Sequence, residues 1–269
     1  MAHGPGGIHS PWPAFILGII LITMQTQHQK IIDQVSNNIL DKYKNNSNVV
    51  GIFLVGSAAQ NVFDKYSDID FFIILNKSNG LSRENFVSEE KINVEILFDT
   101  VAETQRCLRE ERFSLYRNTS HMLAMGQLLY SSSNAVKQIQ LKAQNNLNQK
   151  TRYSDGEIIM HKYSIDDFLG DVRRDVNSND AIAFGQDSHY VIQNSVELLL
   201  KFNGSYNLKP KMIAGHLRSI DQPFVDMLNS FYESQSASEK LQLLERISEY
   251  AITNCGGKLP ARWSLEKKS

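Results

Sequence analysis

The chain is poor in the features that mark several large classes of protein. Its 269 residues include only two cysteines, Cys107 and Cys255, too few for a disulfide framework and without metal-ligand spacing. Lysine and arginine total 28 against 29 for aspartate and glutamate, so there is no basic excess to hold a long nucleic acid. We therefore expect two reduced thiols in a cytoplasmic protein, with no nucleic-acid partner.

A long apolar run is also missing. Residues 14–24 form an apolar run of 11, whereas a membrane-spanning helix needs about 20 residues. A secretory signal carries lysine or arginine before its apolar run, but residues 1–13 have only histidine there. We interpret residues 1–24 as a leader or tag outside the fold and expect no stable membrane insertion. A weak membrane anchor and a packed extra segment are the alternatives.

The chain does contain enough apolar sequence to bury a core. Apolar residues make up 42% of it and charged residues 21%, and its length fits about two domains. An apolar repeat over Gln29–Tyr43 predicts an amphipathic helix. Continuous apolar runs at Val49–Val55 and Ile69–Leu75 predict buried strands, and the alternation over Asn93–Phe98 predicts a third strand.

The second half of the chain lacks strand signals. A helical stretch over residues 101–125 and a short strand at Gln127–Tyr130 complete the first half. Helical repeats then follow at His189–Phe202, at Pro223–Tyr232 and after a capping box that begins at Ser236. We therefore predict an α+β fold. A mixed twisted sheet with helices occupies residues 25–135, and an all-α domain occupies residues 136–269.

A Gly-Ser turn and three acidic residues form the pattern with the strongest chemical meaning. Gly56 and Ser57 end the first predicted strand, and ten residues separate Ser57 from the Asp68-Ile69-Asp70 segment. Because side chains alternate along a strand, Asp68 and Asp70 face the same side. Glu95 stands alone in the apolar third strand, where an acid is costly without a cation, a partner or solvent. Taken singly, these elements also fit a common turn, a solvated loop and an exposed edge residue.

Carboxylates in this arrangement suit phosphoryl-transfer chemistry. Asp68 and Asp70 could hold divalent cations about 3.5–4 Å apart, as in-line displacement at phosphorus requires. Mg²⁺ fits best, because carboxylate and phosphate oxygens are the ligands that a hard, octahedral cation prefers. Gly56 would let the backbone approach a phosphate, and Ser57 with the amides after it would donate hydrogen bonds to that phosphate.

These residues resemble the signature of the polymerase-β-like nucleotidyltransferase superfamily: Gly-Ser, a spacer of about ten residues, Asp-x-Asp and a third acid on a neighbouring strand. The resemblance covers roughly residues 28–135. It implies a nucleoside triphosphate as co-substrate and two Mg²⁺ ions. Gly56 and Ser57 would bind the triphosphate, and Asp68 and Asp70 would bind the metals. The family often has aspartate as its third acid, so Glu95 is implied as either a metal ligand or the general base.

A C-terminal helical domain makes the chain similar to the nucleotidyltransferases that adenylylate aminoglycosides or lincosamides. That likeness implies AMP transfer from ATP to a hydroxyl of a small-molecule acceptor, by a monomer or a homodimer. A basic side chain of the helical domain would meet the triphosphate. Lys211 is the main candidate, with Lys209 beside it and Lys162 as a weaker one. The alternative is a minimal-nucleotidyltransferase-like protein that attaches AMP to a partner protein, as antitoxins of that kind do.

Several other polar residues are candidates for the same site. Acids that could line an acceptor pocket are Glu157, Asp166 and Asp167, although they also fit exposed charges. His121 and His189 could serve as bases, but packing and helix capping explain them as well. Tyr130 could lie near the nucleotide base, with core packing as the simpler account.

Overall fold

The computed structural model describes residues 14–265, with side chains described from residue 27 onward. The chain divides into two compact units. Of the described residues, the sheet unit contains 14–105 together with 121–144, and the helical unit contains 106–120 together with 145–265. Of the predicted leader, residues 1–13 lie outside the described part of the chain. That leader and the domain boundary after residue 135 remain predictions.

Five strands form one mixed sheet within the described part of the sheet unit, in the order β3-β4-β2-β1-β5. The strands are β1 (Val49–Val55), β2 (Ile69–Leu75), β3 (Arg83–Val87), β4 (Asn93–Thr100) and β5 (Gln127–Ser131). Strand β1 is antiparallel to both β2 and β5, β2 is parallel to β4, and β3 is antiparallel to β4. The sheet is therefore mixed, as the sequence predicted.

The strands follow the apolar pattern of the sequence, with one exception. Strands β1 and β2 are central and almost wholly buried, which explains their unbroken apolar runs. Strand β4 buries Val94, Ile96 and Phe98 on one face, as their alternation predicted. The sequence prediction missed β3. Its five residues are mostly exposed at the sheet edge, so no apolar pattern was needed there.

The helices account for most of the remaining described chain. They are α1 (Ala14–Tyr43), α2 (Gly56–Ala59), α3 (Val101–Glu111), α4 (Asn118–Met125), α5 (Asn134–Asn148), α6 (Asp155–Ser178), α7 (Ala181–Phe202), α8 (Pro210–Ile220), α9 (Gln222–Glu233) and α10 (Ala237–Asn254). Pro210 occupies the first helical position of α8, where its missing N–H costs nothing. The helical half that the sequence predicted is therefore present.

Some helix boundaries differ from the predictions. Helix α1 begins at Ala14, well before the apolar repeat at Gln29. The single helical stretch predicted over residues 101–125 is two helices, α3 and α4, with an irregular segment between them. Arg117 supports that segment, donating hydrogen bonds to the carbonyl oxygens of Ser114 and Gln149 at 3.2 and 3.1 Å. The loop geometry therefore depends on a buried guanidinium, which no local pattern reveals.

The helix caps also differ from the predictions in part. The side chain of Ser236 caps α10 by accepting from the backbone N–H of Glu239, as predicted. The carboxylate of Glu239 completes no reciprocal bond to Ser236 but accepts from the hydroxyl of Ser234 at 2.8 Å. A full capping box stands instead at the start of α6, between Ser154 and Glu157. Helix α6 itself was not predicted.

Each unit has its own apolar core. In the sheet unit the inner face of the sheet packs with Ile32, Val35 and Ile39 of α1. In the helical unit the core joins the apolar faces of α6, α7, α9 and α10, with Ile165, Leu198, Phe224 and Ile247 fully or almost fully buried. Among the described residues, no helix has both the length and the apolar character needed to cross a membrane.

Candidate active site

The three acidic residues singled out in the sequence meet where strands β2 and β4 begin. Asp70 on β2 and Glu95 on β4 are direct partners in the parallel register, so their side chains leave the sheet side by side. Asp68 precedes β2 by one residue and therefore faces the same side as Asp70. One carboxylate oxygen of each residue lies within 4.8 Å of the other two. The structure thus brings together residues that are up to 27 positions apart in the chain.

Gly56 lies in the turn after β1, directly beside this cluster. A side chain at this position would have no room. The φ of Gly56 is +70°, in the region that favours glycine. A Cβ atom added at Gly56 would lie 2.2 Å from Oδ2 of Asp70. Ser57 follows as a buried residue in the short helix α2. The Gly-Ser turn therefore lies directly against Asp70.

Arg83 of β3 adds a positive charge to the site. Its Nε lies 2.9 Å from Oε1 of Glu95, an ion pair in which the arginine side chain is 59% exposed. Oε1 is buried and has no hydrogen-bond partner apart from this ion pair. A carboxylate oxygen has more than one lone pair, so Oε1 can still bind a ligand that approaches from another direction.

Glu84, the next residue of β3, anchors that strand to the end of α1. Its carboxylate accepts hydrogen bonds from Lys42 Nζ and from the hydroxyl of Tyr43, each at 2.7 Å. The hydrogen bond from Lys42, followed by that from Tyr43, holds the pKa of Glu84 below its ordinary value. The strand that carries Arg83 is thereby held beside β4.

The donor set of the cluster fits a divalent cation. Three carboxylates within 4.8 Å of one another would repel each other without positive charge between them, and Arg83 is the counter-ion that approaches Glu95. An oxygen-only set of this kind suits Mg²⁺ better than zinc or copper. A cavity of about 460 Å³ opens beside the acids, lined by Asp68, Arg83, Phe86 and Glu95 among others. The cavity gives a ligand access to the carboxylates.

Comparison with known proteins agrees with this geometry. Residues 32–109 match the family model described as the nucleotidyltransferase domain. The chain contains a nucleotidyltransferase domain of the polymerase-β-like type. The match spans α1 from Ile32, the Gly-Ser turn and all three acids. The presence of this domain identifies the protein as an enzyme of the transferase class. Domains of this family generally use a nucleoside triphosphate and a divalent metal.

Two further comparisons are less informative. No curated protein is a significant match to the chain. A solved structure of a nucleotidyltransferase-like protein from Exiguobacterium sibiricum 255-15 is similar over 83% of this chain and 76% of its own, at 12% identity and a TM-score of 0.47. A likeness at that level carries no argument about the substrate. The identification of the nucleotidyltransferase domain therefore rests on the match over residues 32–109 and on the geometry of their acidic cluster.

The remaining sequence candidates lie in several places. Lys211 and Lys209 are exposed at the start of α8 in the helical unit, and their proposed contact with a triphosphate remains a prediction. Asp166 and Asp167 are exposed on α6, whereas Glu157 pairs with Lys201 Nζ at 2.9 Å. Glu157 is therefore engaged in an ion pair of its own helical unit.

The structure also gives the positions of the tyrosine and the two histidines that the sequence suggested. Tyr130 on β5 packs against the core of the sheet unit, in agreement with the packing interpretation. His189 lies inside α7, eight residues after its start, so it does not begin a helix as predicted. His121 lies in α4 and is half-buried. Sequence reasoning missed Arg83 because the strand that carries it was itself missed.

Proposed function

We propose that the nucleotidyltransferase domain transfers a nucleoside monophosphate, AMP from ATP, to a hydroxyl group of a small molecule, with release of pyrophosphate. The acceptor oxygen forms a bond to the α-phosphorus, and the bond from that phosphorus to the bridging oxygen of pyrophosphate breaks. The hydroxyl proton passes to a carboxylate of the site. The observation that carries the proposal is the meeting of Asp68, Asp70 and Glu95 beside the Gly-Ser turn.

In this proposal each residue of the site has a separate task. Asp68 and Asp70 would hold two Mg²⁺ ions, which neutralise charge on the triphosphate when bound. Glu95 completes the metal site or accepts the proton of the acceptor. Gly56 admits the triphosphate close to the backbone, and Ser57 donates a hydrogen bond to it. Lys211 of the helical unit is proposed as an additional triphosphate ligand.

The choice of a small acceptor rests on charge. The formal net charge of −1 offers little to a long polyanionic acceptor such as RNA. We propose ATP as donor and the cytoplasm, where ATP and Mg²⁺ are both available, as the site of action. Aminoglycosides and lincosamides are the first acceptors to examine, which would make the reaction one of antibiotic resistance.

The proposal is tested by a pyrophosphate-release assay with ATP, Mg²⁺ and a panel of hydroxyl-bearing small molecules, followed by mass spectrometry of each acceptor. A product heavier by one AMP supports small-molecule transfer and identifies the substrate. AMP found instead on a co-purified protein would overturn the small-molecule acceptor in favour of a protein acceptor. If the protein bound neither ATP nor Mg²⁺, the proposed reaction itself would be overturned.

A further inference from the structure

The helical unit contains a basic cavity formed entirely by its own residues. Its volume is about 730 Å³, which falls within the range of small-molecule sites. It is formed by the segment before α6, the start of α6 and the ends of α7 and α10. Its basic lining residues are Lys150, Arg152, Lys162 and Lys201.

The most informative residue of this cavity is Lys162. Lys162 is only 7% exposed, yet its ammonium forms no ion pair with any of the side chains that the structure describes, those of residues 27–265. Nζ donates one hydrogen bond, at 2.7 Å, to the carbonyl oxygen of Gly257. A lysine ammonium has three N–H donors, and the carbonyl oxygen of Gly257 occupies one of them. Burying such a charge is unfavourable unless an anion accompanies it.

The surrounding charges add to that of Lys162. Lys150 and Arg152 line the cavity and are exposed, while Asp155 is the acid among the lining residues. Lys201 lines the cavity too, but Glu157 neutralises it through their 2.9 Å ion pair. With both acids counted, two positive charges remain in excess. That excess matches a phosphate monoester, which carries a charge of about −1.5 to −2 at neutral pH.

The cavity has room for more than an isolated ion. Tyr153, Ile158 and Phe202 give it an apolar wall beside the basic groups. Gly204 has a φ of +68°, and a Cβ there would lie 2.9 Å from the carbonyl oxygen of Thr151. The two chain segments that form this wall therefore approach each other more closely than a side chain would permit. An organic body attached to the anion would contact this wall.

From these observations we infer that the helical unit binds a small phosphate-bearing molecule in this cavity, with Lys162 as its central ligand and Lys150 and Arg152 at the rim. This inference does not rest on the proposed transferase reaction. The same positive charge disfavours a polycationic aminoglycoside in the cavity. The phosphate could belong to a sugar phosphate or to a polyphosphate, and the ligands used in the test distinguish the two.

The test measures anion binding by the full chain in the presence of EDTA, so that no divalent metal supports binding at the acidic cluster. Isothermal titration would use inorganic phosphate, pyrophosphate, ribose 5-phosphate and ATP, with acetate as the carboxylate comparison. We expect at least one phosphate compound to bind and acetate to bind much more weakly. Tighter binding of ribose 5-phosphate than of ATP would point to a phosphomonoester, and the reverse order to a polyphosphate.

The decisive variant is Lys162→Met, which keeps the length of the side chain and removes its charge. It should weaken phosphate binding by about tenfold or more, because it removes a buried charge-assisted donor. Lys137→Met, on the exposed face of α5 in the sheet unit, is the matched control and should bind as the wild type does. Circular dichroism would check that both variants fold.

A second pair of variants keeps the inference falsifiable if Lys162→Met does not fold. Lys150→Ala and Arg152→Ala change exposed side chains and should each weaken binding severalfold without loss of structure. Absence of phosphate binding in the wild type, equal binding of acetate, or wild-type affinity in the folded Lys162→Met protein would overturn the inference. Asp70→Asn should retain phosphate binding in EDTA, so failure of the proposed transferase reaction is distinguishable from failure of this site.

Discussion

Gly56 approaches Asp70 so closely that a methyl group on its Cα would lie 2.2 Å from Oδ2 of the aspartate. The Gly-Ser turn therefore packs tightly against Asp70 of the acidic pair, although ten residues separate Ser57 from Asp68 in sequence. The glycine is required at this position both for its positive φ and for the space that the carboxylate occupies.

The first prediction concerns this contact. Gly56→Ala should displace the carboxylate of Asp70 and reduce turnover by about 100-fold, since misplacement of a reacting group by about 1 Å can cost that much. Gly80→Ala is the matched control. Gly80 also has a positive φ, +82°, but has no atom within 4 Å of an added Cβ. It should lose roughly 1–2 kcal/mol of stability through backbone strain and keep its turnover.

Thermal unfolding and steady-state assays of the two variants separate strain from catalysis. A loss of stability in both variants, at least as large in Gly56→Ala as in Gly80→Ala, with turnover lost only in Gly56→Ala, would agree with the contact to Asp70. Full turnover in a folded Gly56→Ala protein would show that the site tolerates a side chain at this position.

A second prediction concerns Arg83, whose Nε lies 2.9 Å from Oε1 of Glu95. A cation next to a metal ligand opposes metal binding, so Arg83→Gln should tighten Mg²⁺ binding. The effect should stay below about fivefold, because the arginine is well exposed and solvent screens its charge. Titration calorimetry with Mg²⁺ measures it. Lys77→Gln, exposed just after β2, makes the same change of charge and should leave the affinity unchanged. Weaker Mg²⁺ binding in Arg83→Gln would mean that Arg83 supports the metal site.

The role of Glu95 is the subject of a third prediction. Its carboxylate lies within 4.8 Å of those of Asp68 and Asp70, so we expect Glu95→Gln to weaken Mg²⁺ binding about tenfold or more and to stop transfer. The exposed Glu89→Gln is the control. If Glu95→Gln instead keeps Mg²⁺ and ATP binding while losing transfer, Glu95 is the general base and not a ligand.

A fourth prediction concerns acid stability in the helical unit. Burial raises the pKa of Glu157, but hydrogen bonds from Ser154 and Lys201 outweigh that effect and lower the pKa to about 2. A lowered pKa in the folded state means that this carboxylate stabilises the fold above its ordinary pKa of 4.5 and loses that contribution as the pH falls toward 2. The stabilisation should therefore be complete at neutral pH and vanish in strong acid.

Melting temperatures of the wild type and Glu157→Gln, measured from pH 7 down to pH 2, test this pH dependence. The variant should melt lower at pH 7, and the difference should shrink steadily below about pH 4.5. Glu249→Gln, exposed on α10, is the control and should follow the wild type. A difference that persists unchanged at pH 2 would show that Glu157 acts through packing rather than charge.

The sequence predicted the central strands and the three acids because those features are local. The apolar runs of β1 and β2 reflect burial on both faces of the sheet, and alternation in β4 reflects burial on one. The pairing of Asp70 with Glu95, in contrast, depends on the parallel alignment of β2 with β4, which no local pattern specifies. The family resemblance supplied that neighbour relation in advance.

Features that depend on distant contacts could not be predicted in this way. Strand β3 is polar and exposed. It is held in place by pairing with β4 and by the hydrogen bonds of Glu84 to the end of α1. Arg83 was missed for that reason. The basic cavity was missed for a similar reason. Lys162 is unusual only because it is buried and has no ion pair in the described chain, and neither fact can be read from the sequence.

The most direct test of the central claim is Mg²⁺-dependent pyrophosphate release from ATP by the wild type, Asp68→Asn and Asp70→Asn, with melting temperatures measured in parallel. Both variants should lose metal-dependent turnover. Both should fold as well as the wild type or melt slightly higher, because each removes repulsion within the carboxylate cluster. Wild-type turnover in either folded variant would contradict the assignment of Asp68, Asp70 and Glu95 as the metal site of this nucleotidyltransferase domain.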